Sequence, residues 1–121
     1  MPLVHHELCF GCGRTNLFGL LLELERSGPT SVTGRCFIKQ DHQGAQRGFA
    51  HEGIVAAALA EAMSFACGPG ARAEELEVAF LAPAAVGAFL EVQAESGGLQ
   101  ASATAMSDQQ LLARARGRFR P

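Results

Sequence analysis

The sequence predicts an α+β fold, with an antiparallel sheet around one long buried helix. Three observations carry this. Apolar and other residues alternate with a period of two in several short stretches, as half-buried strands do. One stretch, Ile54 to Cys67, is instead apolar almost all round at a helical period, which places it inside rather than on a surface. Glycine, proline and serine clusters separate these stretches at hairpin distances.

Taken in order, the chain opens with an irregular lead over residues 1–16, holding His5, His6, Cys9 and Cys12 with Gly11 and Gly13 as turn formers. From Leu17 a strand period begins, with Phe18, Leu20, Leu22 and Leu24 on one face. Ser27-Gly28-Pro29-Thr30 is a turn, and Val32, Gly34, Cys36 and Ile38 continue on the returning strand. Gln40 to Ala50 is a polar loop, with His42 expected at the surface. The helix then runs through Ile54, Ala58, Glu61 and Phe65 on one side and Val55, Leu59, Ala62 and Ala66 on another, until Gly68-Pro69-Gly70 stops it. Three or four strands follow. Leu76, Val78 and Phe80 mark one, and Leu90, Val92 and Ala94 the next. Leu99 to Ala105 is a short small-residue strand, and Ala113, Ala115, Gly117 and Phe119 alternate with Arg114, Arg116, Arg118 and Arg120 in the last. One helix covers one sheet face, and the other face is expected to meet another subunit.

Composition narrows the function classes. With 121 residues, 48% hydrophobic and 18% charged, the chain suits one domain with one core. A net charge of −2 supplies no basic field for nucleic acid or an anionic membrane. With no Trp or Tyr, there is little for bases to stack on. No signal peptide and no membrane-length apolar run is visible, so the four cysteines are read as reduced thiols in a cytoplasmic protein.

Several motifs, in their order and spacing, resemble the hotdog-fold thioesterase superfamily. Within it, the chain resembles the branch of the phenylacetic-acid-pathway thioesterases, with 4-hydroxybenzoyl-CoA thioesterase-like features. Cys9-Phe10-Gly11-Cys12-Gly13 with Asn16-Leu17-Phe18-Gly19-Leu20 resembles the family's opening, and Gly48-Phe49-Ala50-His51-Glu52-Gly53-Ile54 its Gly-x-x-His-Gly-Gly-Ile signature. Leu59-Ala60-Glu61-Ala62-Met63 resembles its Leu-Asp-Glu-Ala-Met, and Leu76 to Pro83 the strand leading to a proline corner. The resemblance implies a hotdog domain over residues 1–121, a homodimer that often becomes a homotetramer, and a site between subunits that hydrolyses an acyl-CoA thioester. It implies no cofactor.

Thioester hydrolysis needs a polarised carbonyl and an attacking water or carboxylate. By the resemblance, the backbone at Gly53 approaches the thioester oxygen, where a helix N-terminus favours developing negative charge. Glu52 stands where the family has its first glycine, and His51 orients the loop or simply fixes the turn. Counted without a gap, the family's catalytic aspartate falls on Ala60, and Glu61 lies one residue, about 100° of helix, further on. Glu61 is the candidate catalytic carboxylate, with Gly53 and His51 beside it, or else it caps a subunit contact or binds a backbone group. Glu52, Ile54, Phe80, Arg116 and Arg118 are the candidate substrate contacts, the arginines for CoA phosphates or merely for pairing with Glu75 and Glu77. The alternative function is a hotdog protein that binds acyl-CoA or a related ligand without turnover. Cys9-x-x-Cys12 is half a zinc site, and His5 or His6 would complete it only in cramped geometry. A turn with two buried thiols is preferred there, and no metal is assigned. Cys36 and Cys67 are expected in the core.

Overall fold

The computed structural model describes residues 2–121. The elements in chain order are β1 (Glu23–Gly28), β2 (Ser31–Phe37), a 3-10 turn (Gln40–His42), α1 (Glu52–Cys67), β3 (Arg72–Phe80), β4 (Phe89–Gly97), β5 (Gln100–Ser107) and β6 (Gln110–Arg120). The strands form one sheet in the order β1-β2-β4-β5-β6-β3, and every pairing is antiparallel. This is the α+β architecture expected, with α1 lying across the inner face of β2, β4, β5, β6 and β3.

Side-chain size explains how closely the helix approaches. Ala103 faces Ala115 and Ala105 faces Ala113 across β5 and β6, with Val92 and Ala94 beside them on β4. These residues are buried against Ala58, Leu59, Ala62 and Met63 of α1, each of which is fully enclosed. Small side chains on both surfaces shorten the helix–sheet distance, and the larger Leu24, Val32, Ile38 and Leu90 fill the space toward β1 and β2. The helix stops where Gly68 takes φ 142°, a conformation costly for other residues, while its N–H reaches the Ser64 carbonyl. Among the described residues no helix is long and apolar enough to cross a membrane.

Three expectations need correction. The first strand starts at Glu23 rather than Leu17. The Leu20 and Leu22 amides bond to the carbonyls of Phe10 and Gly11 in the lead, and Leu21 turns to φ 50°, so this stretch joins the lead before it can join the sheet. Leu20, Leu22 and Leu24 keep the expected inward alternation, but Phe18 is 80% exposed. His42 is buried rather than at the surface, with its Nδ1 accepting the Lys39 N–H; burial pulls its pKa below the usual histidine value. The outward sheet face, expected to meet another subunit, carries the polar side chains of the strands. Glu91, Gln93, Glu95, Ser102, Arg114, Arg116 and Arg118 line it. Exposed apolar side chains collect on and just after edge strand β3, at Leu76, Phe80 and Leu81, and at Phe37 and Phe89 where β2 and β4 pair.

Cys36 is in the core as expected, and burial pushes its thiol up to about 12. The folded state therefore holds this proton more tightly than the unfolded chain, where the thiol titrates near 9. That contribution to stability is complete below about pH 9 and is lost as pH rises toward 12. Denaturant midpoints compared at pH 7 and pH 10 are expected to fall more for the wild type than for Cys36→Ala. Equal falls would show that the buried thiol carries no such linkage.

Candidate functional site

Two parts of α1 carry groups with chemistry. The first is the helix start. His51 is the N-cap residue, and its Nδ1 accepts the Gly53 N–H at 2.8 Å. The ring therefore presents a lone pair at Nδ1 and fixes the turn, and the Ile54 N–H bonds to the His51 carbonyl. The loop before it is held from outside. The His51 N–H bonds to the His42 carbonyl and the Ala50 N–H to that of Ala84. Glu52 and Gly53 are exposed and Ile54 is half-buried. Glu52 lies in the first turn, where the helix dipole favours an acid. Glu52, Val55, Phe80 and Pro83 line a groove of about 280 Å³ beside this turn. It is just under the range of about 300–1,000 Å³ usual for a ligand pocket, and open to solvent.

The second part is Glu61, eight residues after Gly53 and so about 12 Å along the axis at 1.5 Å per residue. Its carboxylate faces the lead of its own chain. Oε2 lies 2.9 Å from Nδ1 of His5 and 3.2 Å from Sγ of Cys9. The same His5 nitrogen is 3.7 Å from Cys9 Sγ and 3.5 Å from Cys12 Sγ. The His5 ring stacks on Phe65, one helical turn beyond Glu61, with centroids 4.0 Å apart and planes 16° off parallel. The His5 N–H points at Cys12 Sγ at 3.1 Å. Cys12 is fully buried, and burial together with the adjacent Glu61 carboxylate raises its thiol pKa far above the usual value.

The lead is shaped to fit this carboxylate. The Gly13 N–H returns to the Cys9 carbonyl, closing the Cys-x-x-Cys turn, and Asn16 Nδ2 ties the following residues to the Leu8 carbonyl. At Gly11 the chain passes directly over Glu61. A Cβ there would stand 2.5 Å from Glu61 Cδ and 2.8 Å from Oε1, which real contacts do not reach.

The structure thus gathers His51, Glu52, Gly53, Ile54 and Phe80 around the helix start and groove. Glu61 lies apart from them, with the lead. Arg116 and Arg118 project from the sheet face away from α1 and pair with Glu77 and with Glu74 and Glu75 respectively. Arg120 also pairs with Glu74. Pairs this exposed contribute about 0–1 kcal/mol each. Sequence reading recognised the Cys-x-x-Cys and His5 but not their companion, because Glu61 is more than fifty residues away from His5 and Cys9. A half zinc motif whose partners are missing nearby is the signal that could have directed attention to a distant acid.

No protein-family model matches the sequence, and no curated protein matches it. Solved structures do. A six-stranded antiparallel sheet folded around one long helix is the hotdog fold, which this chain shares with the solved structures it resembles. The Escherichia coli PaaI protein from the phenylacetic acid degradation operon superposes with a TM-score of 0.74 and 18% identity, over 83% of this chain and 78% of that one. A putative thioesterase from Ralstonia eutropha JMP134, described as phenylacetic acid degradation-related, gives 0.72 and 18% over 83% and 84%. A mutant of the phenylacetic acid degradation protein PaaI from Thermus thermophilus gives 0.68 and 24% over 81% and 90%. Likeness at these identities establishes the shared fold.

The fit between Gly11 and Glu61 is open to a mutational cycle. Gly11→Ala alone is expected to cost about 1–3 kcal/mol, as overpacking does, in denaturant unfolding. In a Glu61→Ala background the cost should shrink, with a coupling of about 0.5–3 kcal/mol for residues in contact. Additive effects would mean that the lead does not close over this carboxylate.

Proposed function

We propose that the protein binds an acyl thioester, most naturally acyl-CoA, in a thioesterase-type site at the start of α1 that a second copy completes, and that it hydrolyses this ligand slowly. The observation that carries the reading is the exposed first turn of α1 opening on an apolar-edged groove, within a fold shared with thioesterase-superfamily proteins. Backbone N–H groups there can polarise a thioester carbonyl, since charge develops on its oxygen in the transition state. The Gly53 N–H is already accepted by His51 Nδ1, so an incoming oxygen must displace that bond or share the donor. Edge strand β3 supports pairing of two copies. Its outer backbone edge is free among the described residues, and Leu76, Phe80 and Leu81 are 39–50% exposed there. Phe80 also lines the groove, so pairing and ligand contact would share a side chain.

Slow turnover follows from the acid. Position 60 is alanine, and the carboxylate of Glu61 is engaged by His5 and Cys9. A water at the helix start then has neither an acid at position 60 nor Glu61 to deprotonate it, and the exposed Glu52 of the first turn is the carboxylate of this helix that stands beside the groove. A second reading, a full acyl-CoA hydrolase with Glu61 as its base, is favoured by the thioesterase descriptions of neighbours in fold. It requires Glu61 to leave the lead. The arginines Arg116 and Arg118 enter either reading as contacts to CoA phosphates only by exchanging their glutamate partners.

The purified chain is expected to bind a non-hydrolysable acyl-CoA thioether and to release thiol slowly from acyl-CoAs of varied chain length. Glu61→Gln should leave that rate near its starting value, while Ala60→Asp should raise it. A rate that falls about 10²–10⁴-fold in Glu61→Gln, the span expected for a lost general base, would establish the second reading instead. Failure to bind any acyl-CoA would contradict both.

A further inference from the structure

The geometry points to a metal site: we propose that His5, Cys9, Cys12 and Glu61 together bind one zinc-like divalent cation that clamps the N-terminal lead to α1. This inference is independent of the thioester reading and takes Glu61 as a ligand rather than a base. The four ligand atoms, His5 Nδ1, the two Sγ atoms and a Glu61 carboxylate oxygen, all lie within 4.8 Å of one another. Four of their six separations are fixed by the contacts above and lie near those of a tetrahedron. Zinc bonds of about 2.3 Å to sulfur and 2.0–2.2 Å to nitrogen and oxygen place a sulfur and a nitrogen or oxygen ligand about 3.5 Å apart, and a nitrogen and an oxygen about 3.4 Å apart. The observed values are 3.7 Å and 3.5 Å for His5 to the two sulfurs, 3.2 Å for Cys9 to Glu61, and 2.9 Å for His5 to Glu61. The last must open by about half an ångström, and Cys9 to Glu61 by about 0.3 Å, to admit the ion.

The donor set selects the metal. Two thiolates, an imidazole and one carboxylate suit a borderline-soft cation and do not suit calcium or magnesium, which take oxygen ligands. Four protein ligands leave no open position, which is the pattern of a structural zinc site. The surroundings support the ligands as outer partners of a metal do. The His5 N–H is aimed at Cys12 Sγ, and the Phe65 ring fixes the His5 imidazole by stacking. Gly11 is the residue that lets the turn between the two cysteines lie against the carboxylate without a clash. A sequence-local zinc knuckle needs its second pair of ligands nearby. Here one comes from four residues before the first cysteine and the other from the buried helix, so binding joins an irregular segment to the core.

The test uses the full chain and the metal alone. Protein purified without chelators is expected to carry about one zinc per chain by elemental analysis, as a closed four-ligand site should. Replacement by Co²⁺ should give the strong visible bands of a tetrahedral site and thiolate-to-cobalt charge transfer. Cys9→Ser, Cys12→Ser and Glu61→Gln should each weaken zinc in competition with a chelating dye by more than the roughly 10–100-fold typical of a lost outer partner. Cys36→Ser and Cys67→Ser should leave the metal in place. Wild-type cobalt spectra require no variant, so a variant that fails to fold leaves the proposal exposed to test. Wild-type spectra without thiolate charge transfer, a Cys9–Cys12 disulfide in the native protein, or zinc that survives loss of both cysteines would overturn it.

Discussion

The contact between Glu61 and the N-terminal lead governs how the rest of this chain is arranged. A carboxylate in the middle of a nearly all-apolar helix needs polar partners, because a buried charge without them is strongly unfavourable. The fold supplies them from the other end of the sequence. His5 and Cys9 reach Glu61, Cys12 is buried beneath them, and Gly11 passes over the carboxylate where a side chain would not fit. Once the lead is held there, its carbonyls are in place to receive the Leu20 and Leu22 amides. Those leucines close one end of the core and deliver the chain into β1. The first strand begins late for this reason.

The helix is thereby divided into two regions with different work. Its first turn, capped by His51, is exposed beside a groove. Its middle is enclosed between alanine-faced strands and the lead. About 12 Å separates the two along the axis. A carboxylate committed to the lead is unavailable to the first turn, and a carboxylate serving the first turn would leave His5 and Cys9 without their partner. Under a hydrolytic reading, fold and chemistry would compete for one residue, and the neighbouring Ala60 offers no substitute.

Sequence reading recovered the sheet and helix because the periods were clean. Leu90, Val92 and Ala94, and the alternation of Ala113, Ala115 and Phe119 with arginines, could be read directly from the chain. The Leu17–Leu22 stretch misled because a strand-like alternation also suits an extended segment that pairs with a loop. His42 misled because a histidine in a polar loop looks like surface until that loop packs against the Phe18–Gly19 backbone. At the candidate site, the helix start was legible from His51 and Gly53. The position of Glu61 was not, since one residue of helical phase and a contact across the length of the chain decide it. Local spacing carries neither.

The most direct measurement of the central claim is amide hydrogen exchange across the lead, compared between the wild type and Glu61→Ala. If Glu61 fastens the lead, the amides of Gly13, Leu20 and Leu22 are protected in the wild type and lose protection in the variant, while those of β4 and β5 keep theirs. Unchanged protection of the lead after removal of the carboxylate would contradict the account, because the lead would then be held by its own turns and by β1 alone.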